Sequence, residues 1–191
     1  MVAAAPARHG MSHEHGEDRT LFSASLRDTL LRAAKTELYS IRETDEILEE
    51  LQRTLSAKRK KSEPQVQRLI SAIEETFPNQ FVKDYQHLIE QMPVNENDRH
   101  VLAAAVASNA QVIVTHNLRH FRLSLLAPYE MEAQSPDTFL LQLLESEPDR
   151  MKHVLIQQAA SLRHPPMITS EVLDILELEV PIFVKIARRI I

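Results

Sequence analysis

The 191-residue chain contains no cysteine, which removes disulfides, thiolate nucleophiles, zinc fingers and iron–sulfur ligation at once. It has only two glycines, Gly10 and Gly16. From Glu17 onward nothing remains to form the phosphate-cradling turns of P-loop or dinucleotide-binding enzymes, which need glycine backbones. No apolar run approaches the roughly 18–20 residues that span a bilayer, so no membrane association is expected. Met1–Ala5 is too short for the core of a signal peptide, which points to a cytoplasmic protein. A large charge excess is missing too. The formal net charge is −5 with nine neutral histidines, which argues against a histone-like coat for nucleic acid but not against a local basic cleft.

What is present describes a packed domain: 43% hydrophobic and 26% charged residues, in the range of globular proteins. Residues 1–20 lack apolar periodicity and read as a mobile or irregular tail. Leu26, Leu30, Leu31 and Ala34 then recur at helical spacing, and Leu38–Ile41 reads as a short strand. Thr44 is a plausible N-cap, with Asp45 and Glu46 where the helix dipole favours acids. Ser62-x-x-Gln65 has the form of a capping box. Residues 79–93 are ambiguous between strand and helix. Asn95 leads into an alanine-rich buried helix, followed by the β-branched run Val112-Ile113-Val114, typical of a buried parallel strand. Ser135-Pro136-Asp137 opens another helix, and from Pro148 the chain reads as helical. The expected plan is α/β over residues 21–145 and all-α over 146–191.

In an open α/β domain ligands gather beyond the carboxyl ends of the strands, which singles out a few residues. Asp98, at the start of the alanine-rich helix, is either a helix cap or a carboxylate for a divalent cation. Glu50 lies nearer the apolar face of its helix than Glu49 or Glu46. It is either a solvated acid pairing with Arg53 or Thr54, or a cleft acid. Thr115 and Asn117 close the Val112–Val114 strand, where they could orient water or phosphate, or simply form a turn. His116, Arg119, His120 and Arg122 make the same loop basic. Lys58–Lys61 is a second basic run, and His13 with His15 is a His-x-His pair that could take a metal.

Asn97-Asp98-Arg99-His100-Val101-Leu102, Val112-Ile113-Val114-Thr115-His116-Asn117 and Ser135-Pro136-Asp137-Thr138-Phe139-Leu140 together resemble the carboxy-terminal half of a PIN domain, in the bacterial branch that includes VapC-like toxins. Leu21-Phe22-Ser23-Ala24 and Ile47-Leu48-Glu49-Glu50-Leu51 fit the same family in order and spacing. The segment around Leu162–Pro166 resembles the helical extension of some of these toxins. The resemblance implies a three-layer α/β/α fold around a short parallel sheet, with an all-α C-terminal extension. It also implies Mg²⁺- or Mn²⁺-dependent cleavage of RNA, control by a small antitoxin protein, and self-association, with a dimer expected. Glu50 and Asp98 match the family's metal-binding acids, and Asn117 stands where many members have a further Asp, with Thr115 beside it.

The sequence departs from that pattern at its start. The family's first strand ends in an acid that would fall on Glu17, but Ser12-His13-Glu14-His15-Gly16 cannot form a buried strand without desolvating three ionisable side chains. Either the start is rearranged or the site is degenerate. In the second case the chain is a catalytically silent PIN-like protein that retains antitoxin or RNA binding. The sheet is then expected to be short, or completed irregularly by residues 1–20, or filled by a partner chain.

Overall fold

The computed structural model describes residues 2–4, 23–57 and 62–191. They form four short strands, β1 (Val2–Ala4), β2 (Ser40–Arg42), β3 (Val112–Val114) and β4 (Glu132–Gln134). The helices in the α/β part are α1 (Ala24–Lys35), α2 (Asp45–Ala57), α3 (Glu63–Thr76), α4 (Arg99–Ala107), α5 (Leu123–Leu126) and α6 (Pro136–Ser146). Three more follow, α7 (Pro148–Ser161), α8 (Thr169–Leu176) and α9 (Pro181–Ala187). The C-terminal region is thus all-helical, as expected from Pro148 onward.

The sheet order is β2-β1-β3-β4. β1 runs antiparallel to both neighbours, with Val2 opposite Arg42 on one side and Ile113 on the other. β2 and β3 therefore run in the same direction. β4 continues it: Glu132 N–H donates to the Gln111 carbonyl at 3.0 Å and Thr115 N–H to the Gln134 carbonyl at 2.9 Å, the slanted pattern of a parallel pair. The sheet is short and parallel apart from β1. The central place is filled irregularly by the first residues of the chain, so residues 1–20 are not wholly a tail. Residues 79–93, ambiguous in sequence, form an isolated parallel bridge between Glu43 and Phe81 and a 3₁₀ segment over Gln86–Gln91.

The chain divides into two compact units. The first comprises Met1–Leu21, Ser40–Ile113 and Asn117–Ala133; the second comprises Phe22–Tyr39, Val114–His116 and Gln134–Ile191. In the first, α4 is buried almost all round: Leu102, Ala103, Ala104 and Ala105 pack with Tyr85, Met92, Ile113, Phe121 and Leu126. Small alanines let neighbouring backbone come close, and the cluster fixes where the N-terminus of α4 points. Thr44 caps α2, its Oγ1 accepting the Ile47 N–H at 3.1 Å, and Gln65 Oε1 accepts the Ser62 N–H at 3.2 Å ahead of α3. The apolar face of α3 is spent inside the chain, with Val66, Ile70 and Ile73 all buried.

In the second unit, α1 carries a buried polar link. Thr29 Oγ1 donates to Gln158 Oε1 at 2.7 Å, and Gln158 Nε2 donates to the Ser25 carbonyl at 2.9 Å. Such a link satisfies groups that would otherwise be costly in a core. Tyr39 meets Phe139 edge-on, with ring centroids 4.9 Å apart. Asp137 accepts the N–H groups of Ile182 and Phe183 at 3.1 and 2.7 Å, supplying the open N-terminus of α9 with a charged cap.

Candidate active site

Within the first unit, three segments meet at the N-terminal turn of α4. A 3₁₀ turn over Glu96–Asp98 leads into the helix, and the Asp98 side chain makes no capping bond. Asp98 thus forms no side-chain cap, although it still sits where the helix dipole favours an acid. Its Oδ2 lies instead 2.9 Å from Nδ1 of His120, in the loop after β3, with the Asp98 side chain 19% exposed. That contact is a hydrogen bond only when Nδ1 carries the proton. Two residues further along the same turn, His100 Nε2 lies 3.7 Å from Oε2 of Glu50 on α2. Glu50 does not pair with Arg53, whose Nε donates to the Glu49 carbonyl. The two acids singled out in the sequence are thus tied to one helical turn, each facing a histidine.

Carboxylate oxygens are the donors a hard divalent cation prefers. Mg²⁺ keeps several of its waters and needs only one or two carboxylates. Asp98 and Glu50 suit such a hydrated ion in kind. Among the described residues, no group of three or more His, Asp or Glu is placed as a closed metal cage. Glu17, the expected third acid, lies outside the described residues, as do His13, His15 and the Lys58–Lys61 run. Asn117 is partly buried with φ −93°, so it does not use the left-handed backbone that a turn role would exploit. Arg119 and Arg122, on the same loop, are exposed.

In the second unit, Thr115 and His116 continue β3, and both are half-buried. His116 Nε2 lies 3.5 Å from Oε2 of Glu179, whose side chain is 9% exposed. The same oxygen accepts the backbone N–H of Ser23 at 3.2 Å. Burial alone would raise the Glu179 carboxyl, but the bonds from His116 and Ser23 outweigh it and hold the group down at about 2.

Sequence reasoning named His120 only as part of a basic loop, not as a partner of Asp98, and did not single out His100, Glu179 or Glu43. His100 carried a signal in its position two residues after Asp98, and His120 in its basic loop. Glu179 carried none, because its partner Ser23 is 156 residues away. Glu43, directly after β2, is 5% exposed. Desolvation pushes its carboxyl up, and its Oε2 has no hydrogen-bond partner among the described residues.

Comparison with known proteins bears on the chain's family. A family model described as "PIN domain" matches residues 18–119, and one described as "VapC50 C-terminal domain" matches residues 136–189. A Mycobacterium tuberculosis protein named "Putative ribonuclease VapC50" is 42% identical over 110 residues, 58% of this chain and 65% of that relative. The chain thus spans just under two thirds of the relative's length. No solved structure matches the chain.

Proposed function

Because the chain belongs to the PIN domain family, we propose that it is a divalent-metal-dependent endoribonuclease, the toxin of a toxin–antitoxin pair. The observation that supports this reading is that Asp98, at the start of α4, faces His120, while Glu50 of α2 faces His100 two residues further along the same turn. These two carboxylates would hold a Mg²⁺ or Mn²⁺ ion, which when bound supplies Lewis-acid stabilisation of charge on a scissile phosphate. Water attacks the phosphodiester in line, forming a new P–O bond as the bond to the leaving oxygen breaks; the water gives up one proton and the leaving oxygen takes one up. Asn117 and Thr115 orient water and phosphate oxygens through their amide and hydroxyl groups. The exposed Arg119 and Arg122 favour an RNA backbone through charge, an attraction that weakens with salt.

The partners that follow are an RNA substrate, a small antitoxin and a second copy of the chain. Among the described residues no helix is long and apolar enough to cross a membrane. Exposed apolar side chains of the C-terminal region such as Ile168, Leu178 and Ile182 offer a surface for joining two copies.

Asp98→Asn keeps size and polarity but removes the charge, and is expected to abolish metal-dependent RNA cleavage. Undiminished cleavage by this variant, in Mg²⁺ or Mn²⁺, overturns the assignment. A second reading, a silent PIN-like binding protein, is favoured by one observation: both acids already face histidines. Calorimetric titration separates the two. Saturable Mn²⁺ binding that is lost in Glu50→Ala supports the enzyme, and no binding at millimolar Mn²⁺ supports the silent protein.

A further inference from the structure

Glu179 is a nearly buried acid that the cleavage mechanism does not use. It lies in the turn between α8 and α9, where Glu179 N–H and Val180 N–H both donate to the Leu176 carbonyl, at 3.0 and 2.9 Å. This turn is fixed on both sides, since Val180 is fully buried and the next helix is capped by Asp137. Leu178, immediately before Glu179, is 81% exposed, so the turn directs alternate residues outward and inward. The inward carboxylate does two things with one oxygen. It accepts the N–H of Ser23, the residue whose own Oγ caps α1 by accepting the Leu26 N–H at 3.1 Å. It also faces Nε2 of His116.

Those two contacts fall on sensitive places. His116 is flanked in sequence by Thr115 and Asn117, and Ser23 begins the first described helix. A carboxylate facing one ring nitrogen favours the tautomer with the proton on that nitrogen and fixes the plane of the ring.

We propose that Glu179 is a positioning residue for RNA cleavage: it orients the His116 ring and thereby the adjoining Thr115. The inference rests on the endoribonuclease reading for its kinetic consequence, but its structural half does not.

The test is Glu179→Gln, which retains an oxygen for the Ser23 N–H but loses the charge that holds the imidazole. Three measurements are made on the full chain: Mn²⁺-dependent cleavage of RNA, thermal unfolding, and the nitrogen and proton NMR signals of the His116 ring. The expected result is a fall in kcat of about 10- to 100-fold, with KM for RNA little changed, unfolding close to the parent, and a shifted His116 Nε2 signal. Glu179→Asp, which keeps the charge on a shorter arm, is expected to recover part of kcat. The proposal is overturned if Glu179→Gln cleaves like the parent. It is also overturned if the loss disappears once rates are corrected for the folded fraction, or if the His116 signals do not move. Should the parent itself fail to cleave RNA, the endoribonuclease reading falls. The His116 signals then still decide whether Glu179 orients that ring.

Discussion

At the scale of single residues, acids with similar sequence surroundings meet different fates. Glu49 and Glu50 are neighbours on α2, yet only Glu50 reaches an imidazole. Glu43 and Glu179 are both nearly buried, and their carboxyls are pushed in opposite directions: up for Glu43, by desolvation, and down to about 2 for Glu179, by bonds from His116 and Ser23. The sign for Glu179 follows from linkage. Its folded value lies below the ordinary 4.5, so its contribution is complete above pH 4.5 and is lost as pH falls toward 2, to the order of 2 kcal/mol. Acid unfolding of the parent is therefore expected to steepen between pH 4.5 and 2, and Glu179→Gln to flatten that part of the curve. Equal slopes for the two proteins would contradict the account. None of this was legible locally, because a carboxylate's state depends on partners far away in the chain.

At the scale of elements, local signals did most of the work. Thr44 and Ser135 cap the helices their positions suggested, each accepting an N–H three residues ahead at 3.1 Å. These motifs act within one helical turn and are therefore visible in sequence. β4 was invisible for the opposite reason. Glu132-Ala133-Gln134 has no β-branched residue, and it is a strand because backbone groups of Gln111 and Thr115 pair with it. α9 shows a cap that no local reading can find, since Asp137 sits 45 and 46 residues before the N–H groups it accepts. Asp137→Ala is expected to cost about 1 kcal/mol, lowering the melting temperature by about 3 °C. Asp137→Asn retains one acceptor and is expected to lose less. An alanine variant as stable as the parent would show that α9 is held by its buried Phe183 and Val184 alone.

At the scale of the whole molecule, the proposed metal site, with only two described carboxylates, predicts modest affinity and a measurable stabilisation on binding. At a free Mn²⁺ concentration one hundred times the dissociation constant, unfolding is expected to become harder by about 2.7 kcal/mol. The effect should be reversed by chelator and absent in Asp98→Asn. Equal Mn²⁺ stabilisation of parent and variant would move the ion to some other site. The sheet makes a related point. β2 and β3 need a strand between them to satisfy their backbone groups, and Val2–Ala4 supplies it in the antiparallel sense, where the family pattern led one to expect a parallel strand ending in an acid.

The sequence by itself determined most of the helices, the caps at Thr44 and Ser135, the buried β3 and the candidate acids Glu50 and Asp98, because periodicity, capping and motif spacing all act over a few residues. The tertiary structure alone decided what those acids face. His120 lies on Asp98, His100 on Glu50, and Glu179 between Ser23 and His116. Contacts between residues distant in the chain depend on how the core sets each helix, and that information is spread over many apolar side chains with no single residue to announce it.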